Sequence, residues 1–127
     1  MAEQRSLIKT YLKTCSLERS SGVPNASDNS NAVRSLNLVK EVIELPDNRY
    51  EVTLTFTLTA LKEEKVVYLV EVSYSGLFLL VDLTPEDLKE FLEKTAPYIL
   101  EPYMKAELNE LLLKAELPLL PLNSLNW

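Results

Sequence analysis

The feature that most constrains the fold is an alternation of apolar and polar residues that begins the stretch 50–83. In its first half every second residue is apolar, and the residues between them are mostly threonine. Successive side chains of a strand point to opposite faces, and threonine suits a half-exposed pleated surface. We therefore predict a strand with one threonine face and one apolar face. The apolar face is Tyr50, Val52, Leu54, Phe56, Leu58 and Ala60.

A short charged turn at residues 62–65 separates this strand from a second one, predicted over residues 66–74. One side of the second strand is wholly apolar or aromatic, whereas the other side carries Leu69 beside a lone acid, Glu71. The two strands form an antiparallel hairpin whose apolar face another layer must cover. A strand with apolar residues on both faces is either central in a covered sheet or in contact with a partner chain.

The residues before the hairpin give a less definite pattern. Residues 5–19 fit both helical spacing and strand alternation, so helix and strand both stay open for them. Residues 20–33 are rich in Ser, Asn and Asp and are predicted to form a flexible loop. Residues 34–45 are predicted to be a strand whose apolar phase slips, which a β-bulge would explain. Residues 46–48 (PDN) are predicted to be a turn.

The residues after the hairpin are predicted to be helical. Thr84 is a good N-cap and Pro85 suits the first helical position, so a helix is expected over residues 83–96. Pro97 ends or kinks it, and a second helical run follows over residues 98–115. The apolar, proline-broken tail 116–127 is expected to pack as an extended cover over the core. These elements predict an α+β fold in a single domain, residues 1–127.

Composition excludes several function classes. Nineteen acidic against 13 basic residues give a net charge of −6, which disfavours nucleic acid and anionic membranes as partners. The chain has no histidine and 2 glycines, so the usual general base, the usual metal ligand and a phosphate-binding loop are all missing. Cys15 has no histidine to activate it and is expected to be a semi-buried thiol. We expect a binding protein, not an enzyme, with no cofactor or metal.

Targeting signals are not visible in the sequence. The polar start MAEQRS is not followed by a secretory leader pattern, which favours a cytoplasmic protein. Residues 66–83 carry a single charge and could be mistaken for a membrane span. We reject that reading because the strand alternation explains the run, and because a central Glu71 would cost about 2.5–3.5 kcal/mol in a bilayer.

Several segments together resemble the SecB family of bacterial protein-export chaperones. The hairpin is similar to that family's third and fourth strands, and residues 11–18 (YLKTCSLE) are similar to its first strand. Residues 96–103 (APYILEPY) resemble the family segment CPNILFPYARE, and residues 121–123 (PLN) resemble its APVNF end. The resemblance covers residues 8–19 and 48–123, and the order and spacing of the segments make it specific.

The resemblance implies a four-stranded antiparallel sheet with C-terminal helices on one face, assembled as a dimer of dimers. It implies that residues 8–19 are a strand. Members of the family hold unfolded secretory precursors and pass them to the ATPase SecA. The family's SecA-facing surface maps onto Glu18, Leu69 and Glu71. Positions linked to subunit assembly map onto Tyr68, Val70, Val72 and Tyr74.

The resemblance also implies an apolar groove for clients. The candidates for lining it are Phe78, Leu80, Leu83, Phe91 and Leu92, with an ordinary core role as the alternative. Thr14 stands where the family often has an acid, and the family's acidic or zinc-binding tail has no counterpart before Trp127. These departures weaken the expectation of a SecA partner more than that of client holding. Two rival functions are a SecB-like chaperone that protects the antitoxin of a toxin–antitoxin system, and a small-ligand carrier.

Overall fold

The computed structural model describes residues 2–20 and 32–120, which form one antiparallel sheet and one helical layer. The sheet has four strands in the order β1-β4-β3-β2. The predicted hairpin, β3-β4, is therefore its centre, and β1 and β2 are its edges. The strands are β1 (Gln4–Arg19), β2 (Val33–Leu45), β3 (Arg49–Lys62) and β4 (Lys65–Val81).

The alternation predicted for the central hairpin is confirmed. Directly paired residues of antiparallel strands lie on the same face, and Phe56 pairs with Val72 while Leu58 pairs with Val70. The apolar rows of β3 and β4 thus form one continuous buried face. β4 extends to Val81, beyond the predicted end near residue 74. Ser75 and Gly76 remain paired with β3, so they do not end the strand.

Both hairpin turns contain consecutive residues in the left-handed region. Asp47 and Asn48 have φ angles of 64° and 61°, and Glu63 and Glu64 have φ angles of 53° and 64°. Tight hairpins favour such angles because the resulting twist matches that of the flanking strands. Asp and Asn adopt them readily, whereas the glutamates do so at some cost. The two predicted turns are confirmed.

The structure confirms the strand that the resemblance implied for residues 8–19 and corrects the expectation for β2. Residues 4–19 form a strand, with register shifts between Leu7 and Lys9 and between Leu12 and Thr14. Each bulge shifts the alternation, which explains why the segment also fitted a helix. The bulge predicted in β2 is wrong, since β2 pairs with β3 without a break. Because β2 is an edge strand with exposed apolar residues on both faces, its apolar and polar residues need not alternate strictly.

The helical layer begins where the sequence predicted. The Thr84 hydroxyl accepts a hydrogen bond from the Asp87 amide at 3.1 Å and caps α1 (Pro85–Glu90). A π-helical segment (Phe91–Thr95) joins α1 to α2 (Ala96–Lys114). The predicted end or kink at Pro97 therefore takes the form of a π turn just before it. Proline has no N–H to donate to the Glu93 carbonyl, and Lys40 Nζ donates to that oxygen instead at 3.0 Å.

Helix α2 packs on the apolar face of the hairpin through one row of side chains. Gly76 of β4 makes this contact close: a Cβ at this position would lie 2.7 Å from Leu100 Cδ2 and 2.9 Å from the Phe78 ring. A side chain larger than that of glycine would therefore force Leu100 or Phe78 to shift at this contact. The buried row of α2 is Leu100, Met104, Leu108 and Leu112.

The C-terminal tail is described up to Leu120. Leu117 is buried in the core cluster and Leu120 packs against it, so the predicted cover is confirmed for this part. Residues 121–127, including the PLN segment, and most of the predicted loop 20–33 lie outside the described residues.

We expect Gly76→Ala to lower the free energy of unfolding by about 1–3 kcal/mol, because the added methyl group overpacks the contact with α2. Urea denaturation followed by circular dichroism measures this change. Ser16→Ala, on the exposed surface of β1, is the control and should stay within about 0.5 kcal/mol of the parent. Equal stability of the two variants would contradict the close-contact argument.

Candidate functional site

The helix α2 covers the middle of the sheet and leaves the edge strands uncovered on the same side. Residues Leu36, Leu38 and Val42 of β2 share the face of the buried β3 row, because they pair in register with it. Leu36 and Val42 are nevertheless exposed. Together with Tyr98 of α2 they form a surface that we call the β2 trough.

The β2 trough contains a hollow of about 230 Å³. Leu38 and Lys40 line it from the strand, Pro97 and Tyr98 line it from the helix, and the buried Leu54 side chain contributes from β3. The hydrogen bond from Lys40 to the π-helical segment fixes this side of the hollow. Tyr98 keeps 77% of its surface exposed, which makes it the most exposed aromatic side chain described.

A second hollow, of about 340 Å³, continues the surface along α2 beyond Tyr98. Its lining is apolar at Pro102 and Ala106 and charged at Glu101 and Lys105, which form an i,i+4 ion pair. The two hollows meet at Tyr98 and so form one surface that is mainly apolar with fixed charges at its side. Such contiguous exposed apolar surface is typical of an interaction site.

A second exposed apolar surface, here called the β1 strip, lies on the opposite side of α2. It consists of Leu7 and Leu12 of β1 together with Tyr103 of α2, all of which are exposed. The Tyr103 ring stacks on Tyr74 of β4, with centroids 5.7 Å apart and an interplanar angle of 10°. This stack fixes the helix relative to the β1 side of the sheet.

The predicted client-groove residues are mostly core residues. Phe78, Leu80 and Phe91 are buried, and the Phe78 and Phe91 rings pack edge to face with centroids 5.3 Å apart. Leu83 and Leu92 are half-buried and pack against the same core. The three buried side chains belong to the core in this structure, because the helical segment after β4 folds back over them.

The residues predicted at the subunit interface are also covered by the chain itself. Tyr68, Val70 and Val72 are buried beneath α2, and Tyr74 is half-buried against Tyr103. The first three side chains are almost fully covered within the chain itself. They can affect assembly through the position of α2, which rests on them.

The residues predicted to face SecA come together on the other side of the sheet. Glu18 of β1 pairs directly with Leu69 of β4, and Glu71 follows on the same face. We call this side, which faces away from α2, the open face. Beside the three residues it carries the threonine row of β3, whose Thr55 hydroxyl is hydrogen bonded to Ser73 at 2.8 Å.

A polar brace on the open face was not predicted from the sequence. The Tyr11 hydroxyl of β1 donates to the Glu51 carboxylate of β3, and Lys13 Nζ lies 2.9 Å from the same carboxylate. The brace thus crosses β4 and ties both of its neighbours together. Only the alternation of β3, which puts Glu51 on the open face, could have indicated it, since β1 was not identified as a strand by pattern alone.

The brace shifts two pKa values. Burial, the hydrogen bond to Glu51 and its negative charge raise the pKa of Tyr11 to about 12. The hydrogen bonds from Tyr11 and Lys13 hold the pKa of Glu51 below its ordinary value. At neutral pH the pair is therefore a protonated phenol bound to a carboxylate, which is the strong form of this hydrogen bond.

The described residues contain no group of three or more His, Cys, Asp and Glu side chains placed to hold a metal ion. Cys15 is exposed, which corrects the expected semi-buried thiol. It lies on an edge strand, where the helical layer does not reach it. No helix in the described ranges is long and apolar enough to cross a membrane.

Comparison with known proteins identifies the class of this fold. The family model for SecB, preprotein translocase subunit SecB, matches residues 1–127. The chain belongs to the SecB family, and the fold predicted from the resemblance is confirmed.

Curated relatives named protein-export protein SecB agree with this assignment. The protein from Hahella chejuensis is 30% identical over 122 residues, with 96% of this chain and 77% of the relative covered. The protein from Xanthomonas campestris pv. campestris is 33% identical over 119 residues, with 94% and 70% covered. Among solved structures, a SecB-like chaperone of Mycobacterium tuberculosis, in complex with a ChAD peptide from the HigA1 antitoxin, has a TM-score of 0.77 at 18% identity and covers 97% of this chain and 91% of its own.

We expect Tyr11→Phe to lower the free energy of unfolding at pH 7 by about 1–2 kcal/mol, because Glu51 loses a hydrogen bond to its charged form. The folded pKa of Glu51 is depressed, so the stabilisation is present above its ordinary value of 4.5 and is lost as pH falls further. The folded pKa of Tyr11 is raised, so the stabilisation is present below pH 10.0 and is lost as pH rises towards about 12.

Urea unfolding of parent and variant from pH 3 to 11 measures the difference between their free energies of unfolding, which should be largest near neutral pH and shrink towards both ends of the range. Tyr98→Phe, which alters an exposed tyrosine, is the control and should leave the profile unchanged. If the free energy of unfolding of Tyr11→Phe equals that of the parent at every pH, the brace does not stabilise the fold.

Proposed function

We propose that this chain is a chaperone of the holdase type, which binds extended segments of unfolded polypeptides in the β2 trough. Its clients are proteins destined for export, and it acts in the cytoplasm. Membership of the SecB family and the name shared by the relatives support this function. The observation that carries it is the exposure of Leu36 and Val42 on the same face of β2 as Leu38, which lines a hollow shared with the exposed Tyr98.

The composition of the trough suits an unfolded client. Apolar side chains of a client gain about 25 cal/mol per Å² of surface removed from water, without requiring one particular sequence. Hydrogen bonds along the free edge of β2 would add an interaction with the client main chain, which every sequence provides. The net charge of −6 favours clients with basic residues, so affinity should weaken as salt rises.

A narrower role is the second candidate. The SecB-like chaperone of Mycobacterium tuberculosis was solved with a peptide from an antitoxin, and its fold is similar to this chain's. A chaperone of that kind protects a single partner. Purification of the tagged chain from its own cells separates the two roles: one dominant small protein indicates the antitoxin role, and a mixture of precursors indicates export.

We propose two further contacts for the same chain. The β1 strip is the contact between subunits of a homo-oligomer, a dimer of dimers, because it is the other exposed apolar surface beside α2. The open face around Glu18, Leu69 and Glu71 is the contact for SecA, because the three residues lie together there. The two surfaces face opposite sides of the sheet, so subunit assembly and SecA binding do not compete for them.

We expect Val42→Ser to weaken client binding three- to tenfold, because a methyl-bearing side chain of the trough becomes polar. The measurement is the delay in refolding of an unfolded test protein at increasing chaperone concentration. Val39→Ser is the matched control: it makes the same change on the same strand but on the open face. Equal effects of the two variants would remove the β2 trough from the proposal.

We expect Leu12→Glu to lower the molar mass measured by light scattering, because it places a charge in the β1 strip. Ile43→Glu makes a comparable change on the open face of β2 and should leave the mass unchanged. A parent chain that is a monomer at all concentrations would disprove the subunit contact.

We expect Glu71→Lys to weaken binding of SecA at least tenfold while refolding is delayed as before, because a surface acid of the open face changes sign. Binding is measured by calorimetry with purified SecA. Glu90→Lys, at the exposed end of α1, carries the same change of charge and should bind normally. Unchanged binding by Glu71→Lys would argue against the open face as the SecA contact.

A further inference from the structure

The end of α2 has a well-defined stop that separates the helix from the residues after it. The Leu117 amide donates to the Leu112 carbonyl at 2.9 Å and the Glu116 amide donates to the Leu113 carbonyl at 3.1 Å. Glu116 has a φ angle of 58°. These are the two hydrogen bonds and the left-handed residue of a Schellman cap. The cap therefore ends the main-chain hydrogen bonding of the helix, and the residues beyond it are held by side chains of α2 and β2.

We call residues 118–120 the strap. Asn109 of α2 holds its last residue by both main-chain groups: Asn109 Nδ2 donates to the Leu120 carbonyl, and Asn109 Oδ1 accepts from the Leu120 amide, each at 3.0 Å. This pair of hydrogen bonds recognises an extended main chain and does not depend on the side chain of the bound residue. It is the arrangement expected of a site that holds many sequences.

An arginine of the β2 edge holds the other residues of the strap. Arg34 donates to the carbonyls of Pro118 and Leu119. The Tyr68 hydroxyl accepts from Arg34 Nε at 2.9 Å, which fixes the guanidinium in place. All of the strap's contacts with Arg34 are again made through its main chain.

A second arginine, on the other edge of the sheet, is not fully used. Arg19 Nη1 donates to the Ala115 carbonyl at 2.6 Å, at the end of α2. Its Nε and Nη2 atoms are buried and have no hydrogen-bond partner among the described residues. The Nε and Nη2 side of a guanidinium can bind a carboxylate or carbonyl oxygens. The region around Arg19 therefore has more hydrogen-bond donors than the strap uses.

The strap itself is weakly attached. Pro118 has no N–H, and Leu119 is exposed. Leu117, which is buried, belongs to the cap and stays in place when residues beyond it leave. Residues 118–120 are therefore held by hydrogen bonds to Asn109 and Arg34 and by the partial packing of Leu120 against the core, and a different extended apolar segment could make the same contacts.

We propose that the strap occupies, within its own chain, a binding site for extended apolar polypeptide segments, and that a client segment rich in leucine and proline replaces it. Asn109 and Arg34 hold the main chain of the segment, and Arg19 supplies further donors. The inference rests on the proposed function, because it gives the chaperone a second client site beyond the β2 trough. The strap lowers the apparent affinity of this site by the fraction of time that it fills it.

The test uses a fluorescein-labelled peptide with the sequence of residues 116–122, ELPLLPL, blocked at both ends. Leu120→Pro removes the amide N–H that donates to Asn109 Oδ1, and so frees the site without changing Asn109 or Arg34. We expect this variant to bind the peptide about tenfold more tightly than the parent, since a hydrogen bond and its geometry are lost from the competing strap. Equal affinity in parent and variant overturns the proposal, as does no binding in either.

The residues that hold the segment are tested in the Leu120→Pro background. Asn109→Asp should weaken peptide binding at least tenfold, because a donor to a carbonyl becomes an acceptor. Asn37→Asp, an equal change of charge on the exposed surface of β2, should leave it unchanged. Arg34→Lys provides a second test of the same site should Asn109→Asp fail to fold. If the Asn109→Asp and Arg34→Lys variants fold and still bind the peptide with full affinity, the proposal is overturned.

Hydrogen exchange in the parent chain gives a direct readout. Saturating peptide should speed exchange at the Leu120 amide and leave the Leu54 amide of β3 unchanged. A Leu120 amide that stays protected overturns the inference. If the chain delays refolding but fails these peptide tests, the proposed function stands and the strap site is disproved. If peptide displaces the strap but the chain does not delay refolding, the strap site is supported and only the export function is contradicted.

Discussion

The packing of α2 against the central hairpin is the contact on which the rest of the structure depends. Gly76 allows the helix to approach β4, and Leu100 fills the space that a larger residue would take. Because one helix is narrower than four strands, this packing buries β3 and β4 and leaves β1 and β2 uncovered on the same side. The stability of the fold and the exposed surfaces of the molecule therefore have the same cause.

The exposed surfaces are separated by the geometry of the sheet. The β2 trough and the β1 strip lie on the two sides of α2. The open face lies on the opposite side of the sheet. A chaperone needs contacts for clients, for other copies of itself and for the protein that receives the client. If the proposed assignments hold, the three separate surfaces allow these contacts at one time. The Tyr11–Glu51 brace stabilises the open face, whose threonine and serine side chains could not do so by apolar packing.

The central hairpin, the turns and the helix start were all predictable from local pattern, because alternation, φ preferences and capping act over a few residues. The edge strands were not, since two bulges disguise β1 and exposure relaxes the alternation of β2. The apolar residues after β4 show the same limit for the site. Phe78 and Phe91 could have lined a groove or filled the core, and only the return of the helical segment decided that they meet each other.

The sequence by itself determined that this chain lacks histidine, that its centre is a β-hairpin, and that it resembles the SecB family. These conclusions follow from residue types and short-range spacing. The tertiary structure alone decided which apolar residues stay exposed, which acids and lysines meet across β4, and how Asn109 and Arg34 hold residues 118–120. The physical reason is that burial and long-range hydrogen bonds depend on which surfaces α2 covers, and no pattern within a single strand or helix contains that information.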